Sequence, residues 1–593
     1  MTRTPLRPLA RILEARAKGE NPDVIERENL RQRHEETRDA ESQRAEGRLL
    51  VLAVFFLCAF VLVSGRMGVM AASDPVEPRA QASGASILGQ RSDIVDREGR
   101  ILATNLTTHS LYAQPPLMID PGRAADELAR IFPDLDAERL RKQFETRKFL
   151  WIKRKISPEQ QQAVHDIGEP GLLFGAREMR LYPNGSLAAH VLGGAGFGRE
   201  DVHSAEVVGV AGIEKAFDDY LRDPGNGRAP LELSLDLSVQ AAVERVLFGG
   251  MKLMNAKGAT AVLMDAHTGE IISLASLPDF DPNDRPVPLT EGDAADSPLF
   301  NRAVQGVYEL GSTFKIFTAA QALDEGLVAR NTMIDTKGPL RWGKHRIRDF
   351  RFYGNSMSVE DVIVKSSNIG TARIAMEIGT DRQRAFLDSL GFLKPTPVEL
   401  VEAPGARPLL PRNWSEISTM TISYGHGLSA SPLHLAAGYA SLLNGGTKVT
   451  PTLIKQTAPV PGPRIVSERT SAMARDMLRQ VVVRGTASFG DVTGYRVAGK
   501  TGTADKPRPR GGGYYDDKVI ATFAAIFPAD APRYVLVVTL DEPVETSGEE
   551  PRRTAGWTAV PVAAEVIRRT APLLGLAPDI EPRGEAGVTL TSN

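Results

Sequence analysis

The sequence has almost no cysteine. Of its 593 residues one is cysteine, Cys58, set in an apolar run, so no intramolecular disulfide can form and the fold must rest on packing. The nine histidines are scattered, and neither H-E-x-x-H nor clustered Cys/His spacing occurs. No metal or other cofactor is therefore expected. Neither sign of charge is in excess: 71 Lys and Arg against 73 Asp and Glu leave a formal charge of −2, which argues against nucleic acid, a partner that wants a basic face. Internal repeats are missing. The stretch Gly194-Ala195-Gly196-Phe197-Gly198 lacks the flanking strand and helix of a dinucleotide fingerprint and reads as a loop.

What is present divides along the chain. Its length suits two or three units with cores of their own. Residues 1–47 interleave Arg and Glu with few large apolar side chains, a composition expected to stay flexible with at most short helix. Residues 49–63 form an unbroken apolar run, extended past Arg66. With its flanks (48–72) this reaches the roughly 20 residues that a transmembrane helix needs. The polar stretch before it is too long for a cleavable signal, so an uncleaved signal-anchor is expected. Arginines crowd before the run (Arg31, Arg33, Arg38, Arg44, Arg48) and thin after it, which puts the N-terminus in the cytoplasm and everything past residue 72 outside.

Residues 73–229 read as a second unit. A Ser/Pro/Gln/Gly linker leads to two short strands around Arg97-Glu98-Gly99, and helical patterns follow near 124–131 and 159–164. His190 and Glu214 read as structural hydrogen-bonders. No active-site pattern surfaces, so the unit looks like a spacer. Residues 230–576 read as the third unit. A strand over 231–236 hands over to a helix, a hairpin joins 259–264 to 271–275, two more strands fall at 521–527 and 534–540, and a helix runs over 560–569. Strands at both ends with helices between imply an α+β fold whose antiparallel sheet is closed by the two ends of the segment. The Pro/Gly/Glu-rich tail 577–593 is expected to be disordered.

The chemistry concentrates in three short motifs. Tyr308-Glu309-Leu310-Gly311-Ser312-Thr313-Phe314-Lys315 runs into apolar residues at helical spacing, which puts Ser312 and Lys315 one turn apart on a helix beginning near the serine. A serine hydroxyl needs a base, and a lysine serves only if burial or a second cation keeps it neutral. A helix N-terminus adds a free backbone N–H and a favourable dipole. Downstream come Ser366-Ser367-Asn368 beside a helical run, then Lys500-Thr501-Gly502-Thr503 on a strand-like run. Each motif alone is weak, but S-x-x-K, S-x-N and K-T-G in this order are the signature of penicillin-recognising serine enzymes.

With these motifs, Ile94-Val95-Asp96-Arg97-Glu98-Gly99, Gly212-Ile213-Glu214, Pro278-Asp279-Phe280-Asp281-Pro282-Asn283 and Asn301-Arg302-Ala303, the chain resembles the class B penicillin-binding proteins, and within them the cell-division (FtsI or penicillin-binding protein 3) type, from the anchor to about residue 570. The resemblance implies a periplasmic transpeptidase domain on a pedestal, or dimerisation-like, domain, held in the bacterial inner membrane by a single span. It implies that Ser312 is acylated by the D-Ala-D-Ala end of a peptidoglycan stem peptide, with Lys315 as base. Ser366 and Asn368 would relay protons and hold the donor, and Lys500, Thr501 and Thr503 would bind its carboxylate. On physical grounds the backbone N–H groups of Ser312 and Thr503 suit an oxyanion hole, Lys500 would help keep Lys315 neutral, and Gly502 on an edge strand would let substrate pair along it. Implied partners are β-lactams, an FtsW-type SEDS glycosyltransferase and other divisome proteins. The sequence departs from the family at Leu310, where proline is common, and Gly511-Gly512-Gly513-Tyr514-Tyr515 reads as a mobile loop at the cleft rim. A β-lactamase would need a deacylating E-x-x-L-N segment, which is missing. The elongation-type enzyme tends to have Ser-Cys-Asp at the second motif, and a non-catalytic scaffold or β-lactam sensor would have lost a motif residue or gained further spans.

Overall fold

The computed structural model describes residues 7–72, 91–201, 204–508 and 512–579. By internal contacts the chain forms two units, Met1–Ser86 and Ile87–Asn593. The expected linker at 73–90 and all but three residues of the expected 577–593 tail lie outside the described residues.

The first unit corrects the expectation of a flexible N-terminus. It holds a helix at Arg7–Ala17 and a continuous 51-residue helix at Pro22–Ala72. The low apolar content of 23–46 points to disorder, but those residues contain neither glycine nor proline and are rich in Glu, Arg, Gln and Ala. Intrinsic propensity and i,i+4 ion pairs such as Arg31–Glu35 (3.3 Å) are enough to continue a helix through them. The segment expected to span a membrane, 48–72, is helical, with the side chains of 48–50 and 68–72 outside the described ones. Among the described residues no helix is long and apolar enough to cross a membrane. Within that helix the apolar side chains of 51–67 are solvent-facing, Phe55 and Leu62 included.

The second unit is built on two five-stranded sheets. In the first, β1 (Ile94–Val95) pairs antiparallel with the long β2 (Ile101–Ala113), which also carries β3 (Leu150–Ile156) and β4 (Leu172–Leu181). The glycine-rich stretch read as a loop is a strand, β5 (Gly194–Asp201), paired antiparallel with β6 (Ser204–Ala211). Glycine here permits close approach: a Cβ on Gly198 would lie 2.8 Å from the Glu206 carboxylate and 3.1 Å from Val208. The strand expected over 231–236 shrinks to β7 (Leu231–Glu232), which adds parallel to β1 and closes the first sheet. Asp236 leaves the extended run to cap the helix Leu237–Leu253, accepting from the N–H groups of Ser238 and Val239.

The second sheet matches the expected plan of strands from both ends of the segment. β8 (Gly258–Asp265) and β9 (Ile271–Leu277) form the early hairpin. Four three-residue strands, β10 (Met333–Asp335), β11 (Leu340–Trp342), β12 (His345–Ile347) and β13 (Ser356–Ser358), make two small ribbons in the helical middle. Then β14 (Ala498–Pro507), β15 (Tyr514–Phe527) and β16 (Tyr534–Asp541) complete an all-antiparallel sheet in the order β14-β15-β16-β8-β9. Every residue of β9 and β16 is buried, because Leu237–Leu253 and Ala559–Thr570 pack together on the sheet and Pro432–Leu443 packs on β8, β15 and β16 as well. Strands covered in this way read as continuous apolar runs rather than alternating ones. β14 is left as an edge.

Candidate active site

Ser312 lies at the junction of this sheet with the helical middle. It sits in a 3-10 turn, Gly311–Phe314, and the α-helix proper begins at Lys315, so the helix expected to start near the serine starts three residues later. All residues from Lys315 to Leu323 are buried. The helix is buried on every side because it is central to the helical middle. Phe314 packs tilted and Phe317 edge-on against Phe392, and the Tyr439 hydroxyl donates to the Thr313 carbonyl at 2.9 Å. The turn bearing the serine is thereby fixed from beneath.

Backbone contact joins that turn to the edge strand. A Cβ on Gly502 would lie 2.2 Å from the Leu310 carbonyl oxygen, and one on Gly311 (φ +56°) would lie 2.9 Å from that of Thr503. Neither position tolerates a side chain. This packing brings the backbones of Ser312 and Thr503, the two expected oxyanion donors, alongside each other. Thr503 itself accepts from the Ala555 N–H at 3.0 Å, and Thr501 hydrogen-bonds Thr486, hydroxyl to hydroxyl, at 2.6 Å.

Ser366 is the meeting point. Lys315 Nζ donates to its Oγ at 3.0 Å and to its carbonyl oxygen at 2.5 Å, and Lys500 Nζ donates to the same Oγ at 3.0 Å. Both lysines are completely buried. Burial holds Lys315 well below the usual lysine range, the Lys500 charge pushes the same way, and Asp349 opposes more weakly. Burial alone pushes Lys500 down to about 7. Two amines meet at one hydroxyl, with no carboxylate hydrogen-bonded to either among the described residues, so both are held below the ordinary lysine range. Ser312 Oγ makes no hydrogen bond among the described residues, to Lys315 or to any other group.

Ser366 presents its two oxygens to Lys315 only because its backbone is left-handed (φ +63°), an unfavourable conformation for a residue with a Cβ. Asp349 holds it there. One carboxylate oxygen accepts from Ser367 Oγ at 2.7 Å and the other from the Ile369 N–H at 3.0 Å, while Ser367 Oγ caps the next helix at the Gly370 N–H. Asn368 Nδ2 donates to the Arg348 carbonyl at 3.0 Å. Sequence reasoning missed Asp349, which carries no local motif. It also missed Phe350, Arg351, Tyr353, Phe489 and Trp557, which with Ser312, Ser366, Asn368, Thr501 and Thr503 line a cavity of 440 Å³.

The rim loop expected at Gly511–Tyr515 is only partly a loop. Gly511 lies outside the described residues, and Tyr514 and Tyr515 already belong to β15. Pro507 pairs with Tyr514 across the hairpin. His190 and Glu214 are hydrogen-bonders as expected: His190 Nε2 donates to the Pro298 carbonyl at 2.8 Å, and Glu214 accepts from Arg91, Arg180 and Tyr182.

A half-buried serine packed against an edge strand, in one cavity with a second serine at which two buried amines meet, defines a class of acyl-transfer enzyme, and comparison with known proteins agrees. Residues 259–567 match the penicillin binding protein transpeptidase domain, and residues 86–228 match the penicillin-binding protein dimerisation domain. The chain belongs to the penicillin-binding protein transpeptidases. It is 36% identical over 568 residues to the probable peptidoglycan D,D-transpeptidase FtsI of Caulobacter vibrioides, covering 93% of each chain. To the peptidoglycan D,D-transpeptidase FtsI of Escherichia coli it is 29% identical, over 84% of this chain and 85% of that one. The crystal structure of penicillin binding protein 3 from Mycobacterium tuberculosis, complexed with aztreonam, is similar in fold, with a TM-score of 0.62 and 26% identity over 83% of this chain and 98% of that one.

Proposed function

We propose that this chain is a peptidoglycan D,D-transpeptidase of septal cell-wall synthesis that works through an acyl-enzyme on Ser312. Ser312 Oγ attacks the carbonyl carbon of the penultimate D-Ala of a stem peptide, and its proton passes to neutral Lys315. The oxyanion is met by the N–H groups of Ser312 and Thr503. The peptide C–N bond then breaks, and the Ser366 hydroxyl, fed by the amines behind it, protonates the leaving D-Ala. An amine from a neighbouring stem peptide attacks the ester, and the reverse proton path releases Ser312. Asn368 orients the donor, and Thr501 and Thr503, which line the cavity, receive its terminal carboxylate, while Lys500, buried behind Ser366, polarises the cleft and the edge of β14 is open for the substrate to pair along. The observation that carries this reading is the shared contact of Lys315 and Lys500 with Ser366 Oγ in the cavity that Ser312 lines.

The same reading takes β-lactams as acylating inhibitors. It assigns 73–229 to a pedestal and 230–576 to catalysis, supported by the two matched domains. It also takes 48–72 as a single span of the inner membrane, supported by the outward-facing apolar side chains of 51–67, with the N-terminus in the cytoplasm and the catalytic domain in the periplasm. An FtsW-type glycosyltransferase and other divisome proteins are the partners it implies. The test is intact-mass analysis with a penicillin: one adduct, mapped to the peptide bearing Ser312 and lost in Ser312→Ala with unfolding unchanged. An adduct that survives that substitution refutes the assignment.

A further inference from the structure

The residue three before the serine has an arrangement that none of these roles uses. Glu309 is almost fully buried, and its carboxylate ties together three segments. Oε1 accepts from the Gly427 N–H at 2.7 Å, and the Tyr514 hydroxyl lies 3.1 and 3.0 Å from the two carboxylate oxygens. Gly427 ends a turn that clasps the backbone ahead of Ser312. The Gly311 N–H donates to the Gly425 carbonyl at 3.2 Å, and a Cβ on Gly425 (φ +82°) would lie 1.9 Å from the Gly311 carbonyl oxygen. Tyr514 opens β15, the strand that pairs with β14 and so sets where Thr503 lies.

The serine turn is therefore held on one side by the 425–427 turn and on the other by the β14–β15 hairpin. Glu309 is bonded to both. A tyrosine reaching back to a carboxylate 205 residues earlier in the chain is not needed to close the hairpin, since pairing continues from Ala498 to Asp505 without it. What the contact adds is a fixed distance between the hairpin and the backbone that leads into Ser312.

We infer that Tyr514 and Glu309 are positioning residues for acyl transfer, and that their hydrogen bond sets the spacing of the Ser312 and Thr503 N–H groups. The inference rests on the transpeptidase reading above. Oxyanion donors act on the transition state more than on the bound ligand, and misplacement of about 1 Å costs on the order of 100-fold in rate. Losing Tyr514's hydroxyl should thus slow the acylation step while leaving non-covalent affinity alone.

The experiment is stopped-flow acylation of the purified full chain by a fluorescent penicillin, separating the initial dissociation constant from the acylation rate constant, with an unfolding midpoint for each variant. Tyr514→Phe is expected to lower the rate constant tenfold or more, with the dissociation constant and midpoint within twofold and about 2 °C of wild type. Glu309→Gln, which keeps an acceptor for the Gly427 N–H and the phenol, should lose clearly less than Glu309→Ala. Tyr515→Phe, on the neighbouring residue, should acylate as wild type does. A wild-type rate constant in Tyr514→Phe, or a loss confined to the dissociation constant, overturns the inference. A wild-type chain that takes no penicillin refutes the transpeptidase reading itself.

Discussion

Two clusters of ionisable groups buried in the second unit are built in opposite ways. Around Glu214 each charge meets its counter-charge: Arg91 and Arg180 donate to the two carboxylate oxygens at 2.7 Å, Tyr182 adds a third bond, and Arg91 reaches on to Asp218 at 2.7 Å. At Ser366, two lysines of the same sign converge on one hydroxyl, and among the described residues no carboxylate hydrogen-bonds to either. The paired cluster joins β1's approach, β4 and the Gly212–Ala216 helix and is largely buried. The lysine cluster meets the cavity that Ser312 lines through Ser366, with both amines buried behind it. Where burial is offset by pairing the result is mechanical. Where it is not, the protein shifts the protonation of the groups it buries, and that shift is what would let Lys315 serve as the proposed base.

The two clusters should therefore fail differently. Lys315→Met removes the base without leaving a charge unpaired, so penicillin acylation should fall by about 100- to 10,000-fold, the usual worth of a positioned base, with no loss of unfolding midpoint. Glu214→Leu should do the reverse. It leaves Arg180 buried without its carboxylate and Arg91 with Asp218 alone, a defect that costs roughly 3–5 kcal/mol. The midpoint of thermal unfolding should drop while each molecule still folded is acylated at the wild-type rate. If Glu214→Leu slowed acylation at unchanged stability, or Lys315→Met unfolded the chain, the contrast between the clusters would be wrong.

The sequence revealed this contrast only in part, for identifiable reasons. The three motifs could be read because each is contiguous and sits at a helix start or on a strand, and the structure brings Lys315, Ser366 and Lys500 into contact. The sheet could be read because β8, β9 and β16 are mostly apolar runs. Asp349 could not, because its partners lie about 18 residues on and nothing local marks it. The Tyr514–Glu309 bond spans 205 positions for the same reason. β5 was hidden because glycine serves both loops and closely packed strands. The long N-terminal helix was hidden because low apolar content says whether a segment can bury surface, not whether its backbone can hydrogen-bond to itself.

The smallest effect tests the lysine cluster by pH. Lys500 is pushed down to about 7 in the folded protein from an ordinary 10.5, so between those values the unfolded chain binds a proton that the folded chain does not. Stability must then rise with pH through this window, be complete above about 10.5, and be lost as pH falls toward 7. Lys315, shifted in the same direction, adds to the slope. In Lys500→Met one of the two contributions is gone. Subtracting the unfolding free energy of Lys500→Met from that of wild type, measured by denaturant titration at intervals from pH 6.5 to 9.5, cancels groups common to both. The difference should climb with pH by about 1.4 kcal/mol per unit at most, the limit for one proton. A difference that stays level would mean that Lys500 keeps its proton on burial, in which case a charged ammonium stands behind Ser366 and the neutral state of Lys315 owes more to Lys500 than to its own burial.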